Sequence, residues 1–244
     1  MKNVALIFAG GTGTRMNNKA RPKQFLELDG RAIIIHTLNH FENHPAIDAI
    51  CVVCLESWID YLKELLQRFA IKKVRWIVPG GSTGQESIYN GLKAIHDSGE
   101  AEADDDCAIL VHDGVRPLIS EKVLTDNVEC VHRYGSAITV APAVETLITS
   151  NENFEVQEIY NRDRCHFARA PQSFLMKDLW EAHEKARAEG IMNMIDSACL
   201  MKHYGHSLQM VEGPSENIKI TTPMDFFLFK AIYETQRSSQ VFGI

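Results

Sequence analysis

The sequence predicts an α/β protein built on a mainly parallel sheet, and two observations carry that prediction. Helical segments alternate with short apolar runs along the chain, and turns between them are short. Runs that are apolar throughout suit strands in the interior of a parallel sheet that helices cover on both faces. The 244 residues contain no repeat, low-complexity tract or linker, so one domain over residues 1–244 is expected.

The elements follow in order from this pattern. The first strand is the clearest, because VALIFA at residues 4–9 is apolar without interruption. The predicted strands are 3–8, 48–55, 73–78, 107–112 and 136–141. The predicted helices are 31–42, 58–70, 84–97, 120–134, 177–189, 194–204 and 223–236. Ligands of such sheets bind beyond the carboxyl ends of the strands. Three segments fall there: a glycine-rich loop at 10–13, GGSTG at 80–84 and HDGVRP at 112–117.

One segment interrupts the alternation of helices and strands. Residues 145–160, ETLITSNENFEVQEIY, read as two strands around a polar turn at residues 150–153. A two-stranded ribbon is marginally stable alone in water, so this one is expected to pack on something. It either folds back on its own domain or contacts another molecule.

The composition restricts the partners. The formal net charge is −7, which disfavours nonspecific binding to nucleic acid. No apolar run reaches the roughly 18 residues that a membrane-spanning helix needs, so no membrane partner is expected. The six cysteines show no disulfide framework, which favours a cytoplasmic location. Cys51 and Cys54 lie three apart in a strand and so point to opposite faces, as core residues do.

A glycine-rich loop follows the first strand directly. Gly10, Gly11 and Gly13 have no Cβ, so their backbone N–H groups can approach phosphate oxygens closely and form an anion-binding nest. Arg15 then offers a planar fork for phosphate oxygens, and Lys23 a compact ammonium group. The pattern predicts a cradle for a triphosphate.

Two better-known phosphate-binding loops do not fit this segment. The P-loop pattern GxxxxGK[ST] does not occur in the chain. The Rossmann fingerprint needs a third glycine at the position of Met16, so the segment disfavours a dinucleotide ligand. An ordinary turn between a strand and a helix is the remaining alternative for this segment taken by itself.

Five ordered motifs resemble those of the cytidylyltransferases that join CTP to a sugar-alcohol phosphate. They are GGTGTRM (10–16), PKQF (22–25), VHDGVRP (111–117), the pair NR ending nine residues before Pro171 of PQSF, and NIKIT (217–221). The resemblance spans nearly the whole chain. It implies a single Rossmann-like nucleotidyltransferase domain whose projecting β-arm, at about 143–163, clasps the arm of a second subunit in a homodimer with composite active sites.

Two acceptors compete within this resemblance, D-ribitol 5-phosphate and 2-C-methyl-D-erythritol 4-phosphate. IFAGGTGTRM, PKQFLEL and MIDSACLM favour ribitol, whereas GLKA and VEG suit the methylerythritol group. A ribitol product would feed teichoic acid or capsule synthesis, and a methylerythritol product isoprenoid synthesis. A catalytically silent nucleotide-binding module is a third reading, although it predicts the loss of a phosphate-handling residue that this chain retains.

The resemblance also implies roles for individual residues. Arg15 and Lys23 would stabilise the charged transition state, while Arg162, reaching across from the partner's arm, and Lys219 would hold the acceptor phosphate. The residues expected at the nucleotide are Phe8, Ala9, Gly10, Gly11, Gly81 and Ser87. The residues expected at the acceptor are Asp113, Arg116 and Thr146. Mg²⁺ is the expected cofactor, held mainly by triphosphate oxygens rather than by protein ligands.

Some alternatives stay open for these residues. Asp113 could approach the metal, or could form only a local ion pair with Arg116. Lys219 could be an ordinary surface lysine. Two positions depart from the family pattern, because Gly84 stands where arginine is common and Ala170 where threonine often precedes the PQ motif.

Overall fold

The computed structural model describes residues 3–11, 21–100 and 106–242, with side chains to residue 238. In this part of the chain a seven-stranded sheet has the order β11-β7-β10-β6-β1-β4-β5. Its strands are β1 (Asn3–Ala9), β4 (Ala49–Cys54), β5 (Val74–Pro79), β6 (Ala108–Asp113), β7 (Ser136–Pro142), β10 (His166–Leu175) and β11 (Met210–Glu212). All pairs in the sheet are parallel except those of β10, which runs antiparallel to β6 and β7. The predicted α/β class with a mainly parallel sheet is confirmed.

Helices cover both faces of this sheet. They are α1 (Ile33–Asn43), α2 (Ile59–Arg68), α3 (Gly84–Asp97), α4 (Glu121–Tyr134), α5 (Met176–Ala188), α6 (Ser197–His203) and α7 (Pro223–Phe242). All seven match predicted helices, with ends that differ by a few residues. None of these helices, in the part of the chain that the structure describes, has an apolar stretch long enough to cross a bilayer.

The apolar core is divided by the sheet into two clusters. Successive residues of β1 alternate between them, with Ala5 and Ile7 on one face and Val4 and Leu6 on the other. Cys51 and Cys54 are divided in the same way and are free, buried thiols, which confirms the interpretation of CVVC as core. A third, smaller cluster joins α7 to the loop after β6.

Side-chain caps mark the N-terminal ends of α3 and α6. The side chain of Thr83 caps α3 by accepting a hydrogen bond from the backbone N–H of Glu86 at 3.0 Å. Asp196 caps α6 in the same way through Cys199, at 2.8 Å. Such caps satisfy backbone donors that the first turn of a helix leaves unpaired. The caps therefore help to fix the loops that precede α3 and α6 beside the sheet.

The predicted ribbon is present as a separate two-stranded sheet of β8 (Ile148–Ser150) and β9 (Val156–Ile159). In its turn, the side-chain oxygen of Asn151 accepts hydrogen bonds from two backbone N–H groups, at 3.0 Å each. Every residue of the two strands is exposed, including Ile148 and Ile159. The ribbon therefore projects from the sheet rather than folding back on it. A short pair, β2 (Glu27–Leu28) and β3 (Arg31–Ala32), lies beside α1.

Candidate active site

Two glycine loops meet at the carboxyl end of the sheet. Gly10, which follows β1, lies so close to the loop after β5 that a Cβ added to it would be 3.3 Å from the Cα of Gly80. The same Cβ would lie 3.3 Å from the hydroxyl of Ser87, and that hydroxyl accepts a hydrogen bond from Gly81 N–H at 3.0 Å. Glycine at these positions thus lets two backbones approach each other. The structure brings together the predicted nucleotide-binding residues Gly10, Gly81 and Ser87.

Gln24 holds the start of the glycine loop through hydrogen bonds to its backbone. Its side chain is almost completely buried, and its amide nitrogen donates to the carbonyl oxygen of Ala9 at 2.7 Å and to that of Gly11 at 3.3 Å. These carbonyls lie where the loop leaves the sheet, so the loop is tied to the turn Lys23–Phe25. Sequence reasoning missed Gln24 as a site residue, although it lies within PKQF. Lys23 is partly buried in that turn, and Arg15 lies outside the described residues.

A network of charged side chains occupies the carboxyl end of β6. Asp113 is buried, and its two carboxylate oxygens accept from Lys219 Nζ at 2.6 Å and from Arg116 Nε at 3.2 Å. Burial alone would raise the pKa of Asp113, but the two cations outweigh burial and hold that pKa below its ordinary value. The carboxylate is therefore charged at neutral pH. The Asp113–Arg116 ion pair exists, and Lys219 extends it into a network.

Lys219 is not an ordinary surface lysine. Besides its contact with Asp113, its ammonium group lies 5.7 Å from the centre of the Phe8 ring, at the end of β1. Such a position over an aromatic face is favourable for a cation. About two fifths of the Lys219 side chain remains exposed, so it can also meet a ligand.

Asn217 joins this network to β10. Its backbone oxygen accepts from Arg116 Nη1 at 2.6 Å, and its side-chain amide donates to the carbonyl oxygen of Ala170 at 2.7 Å. Asn217 is fully buried. The segment that carries Lys219 is thus anchored two residues earlier to the strand beside β6. The NIKIT motif contains Asn217, but nothing in the motif indicates which groups this side chain binds.

His112 supports the same turn from inside the sheet. Its Nε2 lies 3.1 Å from the carbonyl oxygen of Arg116, and the ring is completely buried. Burial, and then the neighbouring Arg116 charge, lower the pKa of His112 to about 3. The ring is therefore neutral at physiological pH, and Nε2 must carry its proton to donate to that carbonyl.

A cavity of about 310 Å³ opens beside the network. The predicted site residues that line it are Phe8, Asp113, Arg116 and Lys219. Gly84 and Ala170, the two departures from the family pattern, also line it. A Cβ added at Gly84 would meet no atom within 4 Å, so space does not require glycine there. A cavity that is lined by both charged and apolar side chains and lies next to two glycine loops suits a ligand that carries both phosphate and hydroxyl groups.

Two predicted residues lie away from this cavity. Thr146 and Arg162 are both exposed at the base of the projecting ribbon, and Arg162 Nη1 donates to the carbonyl oxygen of Val144 at 3.2 Å. Neither residue lines the cavity. Within one chain the structure therefore does not bring Arg162 to Lys219.

The arrangement can neutralise and orient anions rather than perform acid–base chemistry. Phe8, which lies just before the glycine loop at the end of β1, lines the cavity together with Arg116 and Lys219, and the buried carboxylate of Asp113 is already paired. Transfer of a phosphoryl-type group depends mainly on positioning and charge stabilisation, so this set of groups suits a nucleotidyltransferase.

Comparison with known proteins supports that class and narrows it. A model of the family "IspD: 2-C-methyl-D-erythritol 4-phosphate cytidylyltransferase" matches residues 3–235. The ribitol-5-phosphate cytidylyltransferase of Vibrio parahaemolyticus is 52% identical over 99% of this chain and 100% of its own length. A 2-C-methyl-D-erythritol 4-phosphate cytidylyltransferase of Clostridium botulinum is 35% identical over 96% of this chain and 98% of its own.

A solved structure gives the same result for the fold. The crystal structure of 4-diphosphocytidyl-2C-methyl-D-erythritol synthase from Anaerococcus prevotii superimposes with a TM-score of 0.81 and 27% identity, covering 96% of each chain. The chain is thus of the nucleotidyltransferase class. It belongs to the IspD family of cytidylyltransferases, as its five motifs had suggested.

Proposed function

We propose that this chain transfers CMP from CTP to D-ribitol 5-phosphate and forms CDP-ribitol and pyrophosphate. The 52% identity to a ribitol-5-phosphate cytidylyltransferase over almost the whole chain is the observation that carries this choice of acceptor. The family model's own description and the 35% identical relative favour the second candidate, 2-C-methyl-D-erythritol 4-phosphate.

The reaction needs no general base. The second pKa of a phosphate monoester is near 6, so the acceptor is mostly a dianion at neutral pH and its oxygen is already a nucleophile. That oxygen forms a bond to the α-phosphorus of CTP while the bond from this phosphorus to the bridging β-phosphate oxygen breaks, and pyrophosphate leaves. Two anions must meet, so the protein's task is to neutralise charge and align the groups.

The residues divide that task by position. The nucleotide lies against the loops after β1 and β5, with Phe8, Ala9, Gly10 and Gly11 on one side and Gly81 and Ser87 on the other. Arg15 and Lys23 stabilise charge on the triphosphate. Asp113 holds Lys219 and Arg116 in place, so the carboxylate orients the cations that receive the acceptor. The ion pairs at 2.6 and 3.2 Å support this role for Asp113.

Mg²⁺ fits this site only together with the nucleotide. Among residues 3–11, 21–100 and 106–242, no group of three or more His, Cys, Asp or Glu side chains gathers, and both oxygens of Asp113 are engaged by cations. The triphosphate would therefore supply most of the ligands. When bound, the ion adds positive charge at the phosphates.

The projecting ribbon supports a homodimer. Its strands expose Ile148, Val156 and Ile159, and Phe154 in its turn is 92% exposed. Apolar side chains grouped in this way suit an interface. In a twofold dimer the partner's ribbon would bring its Arg162 and Thr146 to this cavity, which accounts for their distance from it within one chain.

The test is pyrophosphate release from CTP and Mg²⁺ with each of the two acceptors in parallel. We expect a higher kcat/KM for D-ribitol 5-phosphate, dependence on added Mg²⁺, and little activity when UTP, ATP or GTP replaces CTP. A preference for the methylerythritol acceptor would move the proposal to the second candidate. No release with either acceptor, by a protein that is folded by circular dichroism, would contradict the proposed function.

A further inference from the structure

Unpartnered polar atoms gather around the cavity. Within the described part of the chain, three of its lining residues have buried side-chain atoms without a hydrogen-bond partner: Nε of Arg169, Oγ of Ser197 and both ring nitrogens of His183. Buried polar groups are nearly always paired in folded proteins, so such a group beside a cavity indicates a missing ligand or water. Three of them on one cavity indicate that its occupant is polar.

Arg169 stands out because it is the charged member of this set. It forms no ion pair with any carboxylate of the described residues, and both carboxylates that line the cavity are engaged elsewhere. Asp113 holds its two cations, while Asp196 accepts from Gln172 at 2.9 Å and caps α6. The cavity thus has three cationic side chains against two occupied carboxylates. A partly buried arginine without a counterion is costly, and an anionic ligand removes that cost.

The electrostatic environment agrees with this reading. Burial, and then the nearby positive charge of Arg116, lower the pKa of Arg169. Two like charges facing one cavity repel each other unless an anion lies between them. An arginine also offers a planar fork that suits phosphate oxygens.

The order of the strands separates Arg169 from the nucleotide loops. The glycine loop follows β1 and the Gly80–Gly81 loop follows β5, on one side of β6. Arg169 lies on β10, on the other side of β6, where the pairing with β7 is irregular between Ala168 and Gln172. An anion at Arg169 therefore enters from the β10 side of β6, opposite the nucleotide loops, and can meet the nucleotide at the carboxyl end of β6 between them.

We infer that Arg169 binds the phosphate group of the acceptor, as a residue of the same chain additional to the arginine expected from the partner's ribbon. The inference rests on the proposed function, because it names the group that one substrate presents to the cavity. The phosphate is held between Arg169 and Arg116, and Lys219 remains at the junction with the nucleotide.

The test compares Arg169→Gln and Arg169→Lys with the wild type in steady-state kinetics. We expect the KM for the acceptor to rise by about 10- to 100-fold in R169Q, since a hydrogen bond to a charged group is lost. The rise should be smaller in R169K, which keeps the charge without the fork. The KM for CTP should change by less than about twofold, because the nucleotide does not contact this side chain.

A matched control and a second readout make the result specific. Arg133 is an exposed arginine in the last turn of α4, just before the amino end of β7, and does not line the cavity, so Arg133→Gln should leave both KM values unchanged. Inorganic phosphate should bind to the wild type and to R133Q, and more weakly to R169Q, in calorimetry without any substrate. Equal changes in both KM values, or phosphate binding that R169Q leaves unaltered, would overturn the inference.

Failure of the two proposals can be told apart. If the wild type binds phosphate through Arg169 but transfers CMP to neither acceptor, the anion site is supported and the proposed function is contradicted. If the wild type is active but R169Q shows unaltered kinetics and phosphate binding, the proposed function is supported and the inference about Arg169 is contradicted. Thermal unfolding of R169Q close to that of the wild type would exclude a general structural effect.

Discussion

At the scale of single residues, the site depends on a buried carboxylate that is fully paired. Asp113 lies within hydrogen-bond distance of Lys219 and Arg116, and both cations reach the cavity. Removing one member of such a buried pair usually costs more than the pair contributes, because the remaining charge is left uncompensated. The carboxylate is thus best understood as the part that orients the two cations.

Gln24 allows a direct test of how the glycine loop is held. Gln24→Leu removes the donor to the carbonyl oxygens of Ala9, which is buried, and Gly11, which is exposed, so we expect the free energy of unfolding to fall by about 1–3 kcal/mol. The KM for CTP should rise more than the KM for the acceptor, because the proposed function places the nucleotide against this loop. Urea denaturation and steady-state kinetics measure the two effects. Unchanged stability together with an unchanged KM for CTP would contradict this role.

The sequence predicted part of this site and missed its supports. Motif matching named Asp113, Arg116 and Lys219, and the structure places all three at one cavity. It could not identify Gln24 or Asn217 as supports, because their partners are backbone carbonyls distant in sequence. Arg169 carries no local signal either. Its importance depends on which carboxylates are already paired, and only the three-dimensional arrangement shows that.

At the scale of secondary structure, the ribbon offers the clearest test of assembly. Ile159 pairs with Ile148 on one face of the ribbon, and Glu158 pairs with Thr149 on the other. If the apolar face forms the proposed dimer, Ile159→Arg should convert the protein to a monomer and greatly reduce its activity. Sedimentation velocity and pyrophosphate release measure both effects. The control Thr149→Arg places the same side chain on the opposite face and should leave the dimer intact.

Two outcomes would contradict the assignment of the ribbon. A wild type that is monomeric at micromolar concentration would exclude a stable dimer. An Ile159→Arg variant that remains dimeric would move the interface elsewhere on the molecule.

Four of the predicted strands are buried along nearly all of their length, and the two strands of the main sheet that were missed are not. β1, β4, β6 and nearly all of β7 are buried along their length, so each reads as an apolar run. β10 changes from exposed at His166 to buried at Gln172, and its sequence has neither a continuous run nor a regular alternation. β11 has three residues, which is too short for any periodic signal.

At the scale of the whole molecule, two buried histidines make stability depend on pH. Burial lowers the pKa of His112 to about 3 and that of His183 to about 4, from an ordinary value of 6.5. As the pH falls below 6.5, the unfolded chain takes up protons at these positions while the folded chain does not. Folding stability therefore decreases with acid, by up to about 1.4 kcal/mol per pH unit for each group.

A single substitution tests that dependence. His183→Leu keeps a similar volume and removes one of the two groups, so we expect it to lose less stability than the wild type between pH 7 and pH 4.5. Urea denaturation at the two pH values measures the difference. An equal loss in both proteins would show that His183 does not contribute.

The position of β10 in the sheet also sets an order of assembly during synthesis. β7 pairs only with β10 and β11 within the main sheet, and both follow it in the chain. A nascent chain that ends before His166 can pair β6, β1, β4 and β5, but β7 has no neighbour yet. The side of the cavity that β10 and the later NIKIT segment provide is therefore completed last. Under the proposed function, the strands that bind the nucleotide leave the ribosome before the strand that receives the acceptor.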